Sequence, residues 1–97
     1  MPSYITLVNF TDQGIRNFKD TTKRAQAFTE MVEKMGGKVK EIYWTMGAYD
    51  VVALTEAPDD ETATAAALKV AAIGNVRTTT LRGFSMKEMD KILAKAD

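Results

Sequence analysis

"TMGAYDVVALTEAPDD", residues 45–60, decides how the rest of the chain is read. A glycine, an aromatic and an acid stand ahead of the apolar run Val51-Val52-Ala53-Leu54, and Pro58 closes it. A short apolar run bounded by turn residues reads as a strand. Gly47-Ala48 is the only turn material before it, and a two-residue loop led by glycine suits a type II′ hairpin. The preceding segment KVKEIYWTM, residues 38–46, is therefore expected to be its antiparallel neighbour. Beyond Pro58, Asp59 or Asp60 can cap a helix running to about Ile73. The expected inner face of that helix is Ala63, Ala66, Ala67, Val70 and Ala71.

Working outward from this centre, SYITLVNF at 3–10 is β-branched and aromatic and predicts a strand. TDQG breaks it, and Ile15 with Phe18 suggests a helical turn pinned to the core. From about Asp20 to Met35 the period changes: Phe28, Met31, Val32 and Met35 form one face of an amphipathic helix. Gly36-Gly37 ends that helix. Downstream, Gly74 stops the second helix and NVRTTTLRGF, residues 75–84, predicts a fourth strand. Ser85 and Glu88 have capping-box spacing, and Met89, Ile92 and Leu93 give a stripe for a short terminal helix. The order β-α-β-β-α-β with an added helix is an α+β, ferredoxin-like arrangement with a four-stranded antiparallel sheet. One domain spans 1–97.

Composition limits the chemistry. The chain of 97 residues carries 13 basic and 13 acidic side chains, a formal net charge of zero. Nucleic-acid binding ordinarily shows a basic surplus, so no nucleic-acid partner is expected. There is no cysteine and no histidine. Disulfides, thiolates, zinc fingers and the commonest general base are thereby excluded. No metal ligand set, no cofactor and no catalytic residue is assigned. The segment MPSYITLVNF lacks the basic start of a signal peptide, and no apolar run is long enough to span a bilayer. A cytoplasmic protein without a membrane partner is the expectation.

Both faces of the sheet look apolar. One register offers Ile5, Leu7, Ile42, Trp44, Val52, Leu54 and Leu81, and these are expected to meet the helices. The other offers Tyr4, Val8, Phe10, Tyr43, Tyr49, Val51, Ala53, Val76 and Phe84, mixed with Thr6, Thr45, Thr78, Thr80 and Arg82. An open face of that kind is too apolar to leave in water. A small domain also gains from burial in an assembly, so a homo-oligomer through the open sheet face is expected.

The blocks YITLVNFTDQGIRN, YWTMGAYDVVALTEAPDD and GNVRTTTLRGFS closely resemble the GYD domain family, whose signature is met here as Gly47-x-Tyr49-Asp50. The resemblance runs from about residue 3 to residue 95. It implies a ferredoxin-like fold of the dimeric α/β-barrel type, assembled into homo-oligomers, and it implies no reaction. The same hairpin resembles that of effector domains in feast/famine regulators, which bind amino acids between subunits. Their helix-turn-helix segment has no counterpart in these residues.

Candidate site residues follow. Tyr49 is expected to share the open face with Thr78, Thr80 and Arg82 and to line a pocket at a subunit seam. Asp50 reads first as an anchor for loop amides and second as a proton acceptor or the partner of a ligand amine. Arg82, on a face that assembly dries, needs a carboxylate partner or an anionic ligand. The run Arg16, Lys19, Lys23, Arg24 reads as a solvated helix face; Arg24 matches a family arginine and is its candidate anion anchor. Trp44, the single tryptophan, is expected in the core with Ile42. The leading expectation is a non-catalytic, homo-oligomeric module for small-ligand binding, sensing or assembly. The alternative is a cofactor-independent dimeric-barrel enzyme acting on a small aromatic or polyketide-like substrate, with Tyr49 or Asp50 as acid/base.

Overall fold

β1 (Ser3–Phe10) takes an inner place in the sheet and pairs along nearly its whole length on both sides, with β3 (Val51–Glu56) and β4 (Val76–Gly83). The computed structural model describes residues 1–97. β2 (Lys38–Trp44) pairs with β3, so the strand order is β2-β3-β1-β4 with every pair antiparallel. Between β1 and β2 lie a short α1 (Asp12–Arg16), a 3-10 turn (Phe18–Asp20) and α2 (Thr21–Lys34). α3 (Asp60–Ile73) connects β3 to β4, and α4 (Met86–Lys95) follows. This is the α+β ferredoxin-like order with an extra C-terminal helix.

The helix ends form by the chemistry their sequences offer. Asp59 is the N-cap of α3 and accepts from the Thr62 amide at 2.8 Å. Ser85 and Glu88 complete a reciprocal capping box on α4. Gly74 closes α3 at φ +93°, a left-handed conformation that glycine adopts without steric cost.

The registers assign the faces. One side carries the cross-strand rows Trp44–Val51–Val8–Thr78, Ile42–Ala53–Thr6–Thr80 and Val39–Thr55–Tyr4–Arg82. Of these, Tyr4, Thr6, Ala53 and Thr55 are buried, and the rows lie beneath α2 and α3. The other side carries Tyr43–Val52–Leu7–Thr79 and Glu41–Leu54–Ile5–Leu81. Tyr43 is 58% exposed there, Leu54 42% and Leu81 45%.

This reverses the sequence-based assignment. The Tyr4, Thr6, Val8, Thr78, Thr80 register meets the helices, while Ile5, Leu7, Val52, Leu54 and Leu81 form the open face. Alternation fixes which residues travel together, and with both sets apolar it does not say which set the helices cover. β2 adds a second cause. The pairing skips Lys40, a bulge between Val39 and Glu41, so Val39, Ile42 and Trp44 share the helix side. Trp44 is thus helix-facing as expected, though with Val8 and not with Leu7. At 44% exposed it is not in the core as expected: it stands at the end of edge strand β2, where the helices cover it only in part.

Two local expectations also change. The β2–β3 connection is a loop of six residues, 45–50, and not a two-residue turn. Gly47 stands in it at φ +100° with nothing near its missing Cβ. Ile15 and Phe18 do not pin the helical turn to the core; they are 52% and 54% exposed. Gly14 and Thr11 hold it instead. The Thr11 hydroxyl donates to the Gly74 carbonyl at 2.6 Å and accepts from the Gly14 amide at 3.1 Å. Gly14 packs so close that a Cβ would lie 1.9 Å from the Asn75 carbonyl oxygen.

Gly14→Ala must therefore push backbone against backbone. We expect it to lower unfolding stability by about 2 kcal/mol or more in urea denaturation. Gly47→Ala meets no atom and carries only the left-handed backbone penalty, about 1 kcal/mol.

Candidate functional site

Between α2, α3 and the sheet lies a cavity of about 320 Å³. Its floor is the Thr6/Val8/Ala53 register, one wall is Phe28, Met31 and Val32 of α2, and the other is Ala63, Ala66, Ala67 and Val70 of α3. Small side chains on α3 leave room that larger ones would fill. Where β1 ends, Arg24 lines the cavity. Its guanidinium lies 5.4 Å from the Phe10 ring centroid, and Nη2 donates to the Gly14 carbonyl at 3.1 Å. Nη1 is shut away from solvent without a hydrogen-bond partner. In the same first turn of α2, Thr21 Oγ1 accepts from the Trp44 indole at 2.9 Å.

Where β1 begins, a second cleft of about 350 Å³ adjoins the first and is lined by Tyr4, Asp60, Thr64, Thr78, Thr80 and Arg82. The Tyr4 hydroxyl donates to Asp60 Oδ1 at 2.6 Å. Burial of Tyr4, 4% exposed, together with that acceptor and its negative charge pushes the phenol up to about 12. Arg82 lies 5.8 Å from the Tyr4 ring centroid and 4.5 Å from that of Phe84. Its Nη1 donates to the Ser3 and Gly83 carbonyls, and Nη2 is 3.7 Å from Glu88. The Ser85 amide above all, with the Arg82 charge behind it, holds the Glu88 carboxyl below its usual range.

Of the residues singled out in the sequence, Thr78, Thr80 and Arg82 thus come together. Arg24 sits at the opposite end of β1. Tyr49 and Asp50 line neither cavity. Asp50 extends the β1–β3 ladder: its amide donates to the Val8 carbonyl at 2.8 Å, and its Oδ2 accepts from the Phe10 amide at 2.8 Å. Its own carbonyl takes the Thr45 amide at 2.9 Å, while the Thr45 hydroxyl donates to the Tyr49 carbonyl at 2.6 Å. The Gly-x-Tyr-Asp segment clasps the hairpin to the central strand.

Tyr4 and Asp60 went unmarked in the sequence. The signal was present in the pair Asp59-Asp60: one aspartate suffices to cap α3, which frees the next for Tyr4. Tyrosine and aspartate hydrogen-bonded in this way offer a fixed polar contact and a poor proton donor near neutral pH, not an acid/base pair.

A phenol raised from its ordinary 10 has a definite pH signature. The folded state retains the proton that the unfolded chain loses, so this stability contribution is complete below pH ~10 and fades as pH rises to ~12. Absorbance titration should show one of the three tyrosines ionising late, and Tyr4→Phe should remove that component and the matching alkaline loss of stability.

The comparisons with known proteins agree with this architecture. A curated relative from Thermus thermophilus, a glutamine synthetase and cystathionine beta-lyase binding protein, is 31% identical over 90 residues, covering 92% of this chain and 95% of that one. The crystal structure of a protein from Thermus thermophilus superposes with a TM-score of 0.57 at 26% identity, covering 88% of this chain and 95% of that one. The GYD domain model matches residues 4–93, and with that span the clasp at Gly47, Tyr49 and Asp50 has its name: the chain belongs to the GYD domain family.

Proposed function

We propose that this protein is a non-catalytic, homo-oligomeric binding module whose open sheet face makes its contacts, first with a second copy of itself and, as an assembly, with metabolic enzymes. One observation carries the reading: the rows Tyr43–Val52–Leu7–Thr79 and Glu41–Leu54–Ile5–Leu81 place Tyr43, Val52, Leu7, Leu54, Ile5 and Leu81 side by side on the open face, with Glu41 and Thr79 at its margins and Tyr43, Leu54 and Leu81 exposed. Such a patch on a small domain marks an interaction site. Two copies related by a two-fold axis would bury it against itself. α4 adds Met86, Met89 and Leu93, also exposed.

The relative from Thermus thermophilus is named for binding two enzymes, which supports proteins as the partner class here. The neutral net charge agrees with an interface held by apolar burial rather than by steering charge. The enzyme reading finds no support in Tyr49 and Asp50, since Asp50 holds the Phe10 amide and neither residue lines either of the two cavities described above. No helix is long and apolar enough to cross a membrane; a cytoplasmic location belongs to this proposal.

Size exclusion with light scattering at micromolar protein should give a dimer or a larger assembly. Leu54→Glu, at the centre of the patch, should raise the dissociation constant on the order of tenfold or more. The assembled protein should also bind purified glutamine synthetase or cystathionine beta-lyase of the same cell in calorimetry. A monomeric wild type that binds neither enzyme sinks the reading.

A further inference from the structure

We infer that the cavity between the helices and the sheet is a binding site for a small apolar monocarboxylate, with Arg24 as its anion anchor. The inference stands apart from the open face and does not depend on what that face binds.

The walls set the body of the ligand. Phe28, Met31, Val70 and the α3 alanines present hydrocarbon over the whole middle of the cavity. Its volume of about 320 Å³ equals on the order of ten water-sized atoms at ~30 Å³ each. That is the low end of the range for small-molecule pockets.

Arg24 sets the head. It is the only cation among the lining residues. Glu56, the only lining carboxylate, belongs to the strand register that faces away from the helices. A guanidinium beside apolar walls needs an anion to offset its desolvation. The Gly14 carbonyl occupies Nη2, whereas Nη1 is shut away from solvent with no hydrogen-bond acceptor from the chain. The Thr21 hydroxyl, one helical turn away on the same face, accepts from Trp44 and keeps its own proton to donate. Two donors on one turn suit the two oxygens of a carboxylate once the guanidinium turns toward it. A phosphate monoester would bring a second charge that a single arginine leaves uncompensated, and its polar body would oppose the walls.

Trp44, the single tryptophan, lines the cavity and serves as the reporter. The probes are octanoate and 3-phenylpropanoate, a chain and a ring of nearly equal size, with 1-octanol and inorganic phosphate for comparison. Calorimetry and Trp44 emission should show one octanoate or phenylpropanoate per protomer, octanol weaker by about tenfold or more, and no response to phosphate. The tighter of the two acids identifies the body as aliphatic or aryl. Arg24→Gln, which keeps a donor for the Gly14 carbonyl, should weaken the acid by about tenfold or more. Ala67→Phe fills the cavity without touching Arg24 and should abolish binding, with its melting temperature showing that it folds. The inference is overturned if neither acid gives heat or an emission change, if octanol binds as tightly as octanoate, if phosphate competes with the acid, or if Arg24→Gln or a folded Ala67→Phe binds like wild type.

Discussion

An antiparallel sheet turns alternate side chains to opposite faces, and in this chain both sets are apolar. Each face therefore needs a cover. α2 and α3 supply one, with Val32 buried and the α3 alanines facing Thr6 and Ala53 across the cavity. The chain holds no third layer for the other, since its remaining helix, α4, keeps its own methionines in solvent. The proposed assembly would remove Ile5, Leu7, Val52, Leu54 and Leu81 from water. The protomer's small buried set, four apolar residues and two threonines besides Gly14, fits a unit whose burial is completed by a neighbour.

The elements were legible because each rests on local chemistry. The Phe28/Met31/Val32/Met35 stripe, the Asp59 cap, the Gly74 stop and the Ser85–Glu88 box all act within a few residues of themselves. The face of the sheet was not legible, because the deciding contact joins residues 56 apart: Tyr4 reaches Asp60 at the head of α3, which places the Tyr4 register inside. The Lys40 bulge was hidden for a related reason. A bulge is a property of pairing, and in KVKEIYW alone a smooth alternation reads equally well. Arg82 was expected to meet its carboxylate across an interface, whereas the one beside it, Glu88 at 3.7 Å, lies six residues ahead in its own chain. Thr78, Thr80 and Arg82 share a face because they stand two apart on one strand, but that face is the helix side and Tyr49 does not join them there.

The family signature has a mechanical meaning in this setting. β3 begins at Val51, two residues too late to give the Phe10 amide a ladder carbonyl, and the Asp50 carboxylate stands in for it. Thr45 ties the other side of the loop to Asp50 and Tyr49, so a connection of six residues stays in register with the central strand. A motif that does this work can recur in proteins with different partners, which is why membership in the family fixes the fold and leaves the chemistry to other residues.

The cavity is a consequence of the same two-layer design. α3 packs through alanine, and a helix of alanines approaches a sheet without filling the space beside it. Left dry, a void of about 320 Å³ would cost on the order of 8 kcal/mol at ~24 cal/mol per Å³. That is comparable with the entire stability of a small domain, ~5–15 kcal/mol. Water relieves such a cost only where it finds several polar partners. The threonines provide these along the floor and at the Tyr4–Asp60 end, whereas Phe28, Met31 and Val70 provide none. Water can serve the polar end, while the apolar middle and the lone guanidinium at the far end favour an occupant with an apolar body and one anionic head. Larger residues at Ala63, Ala66 and Ala67 would close the cavity and stabilise the layer. Their smallness keeps open a space that packing alone would fill.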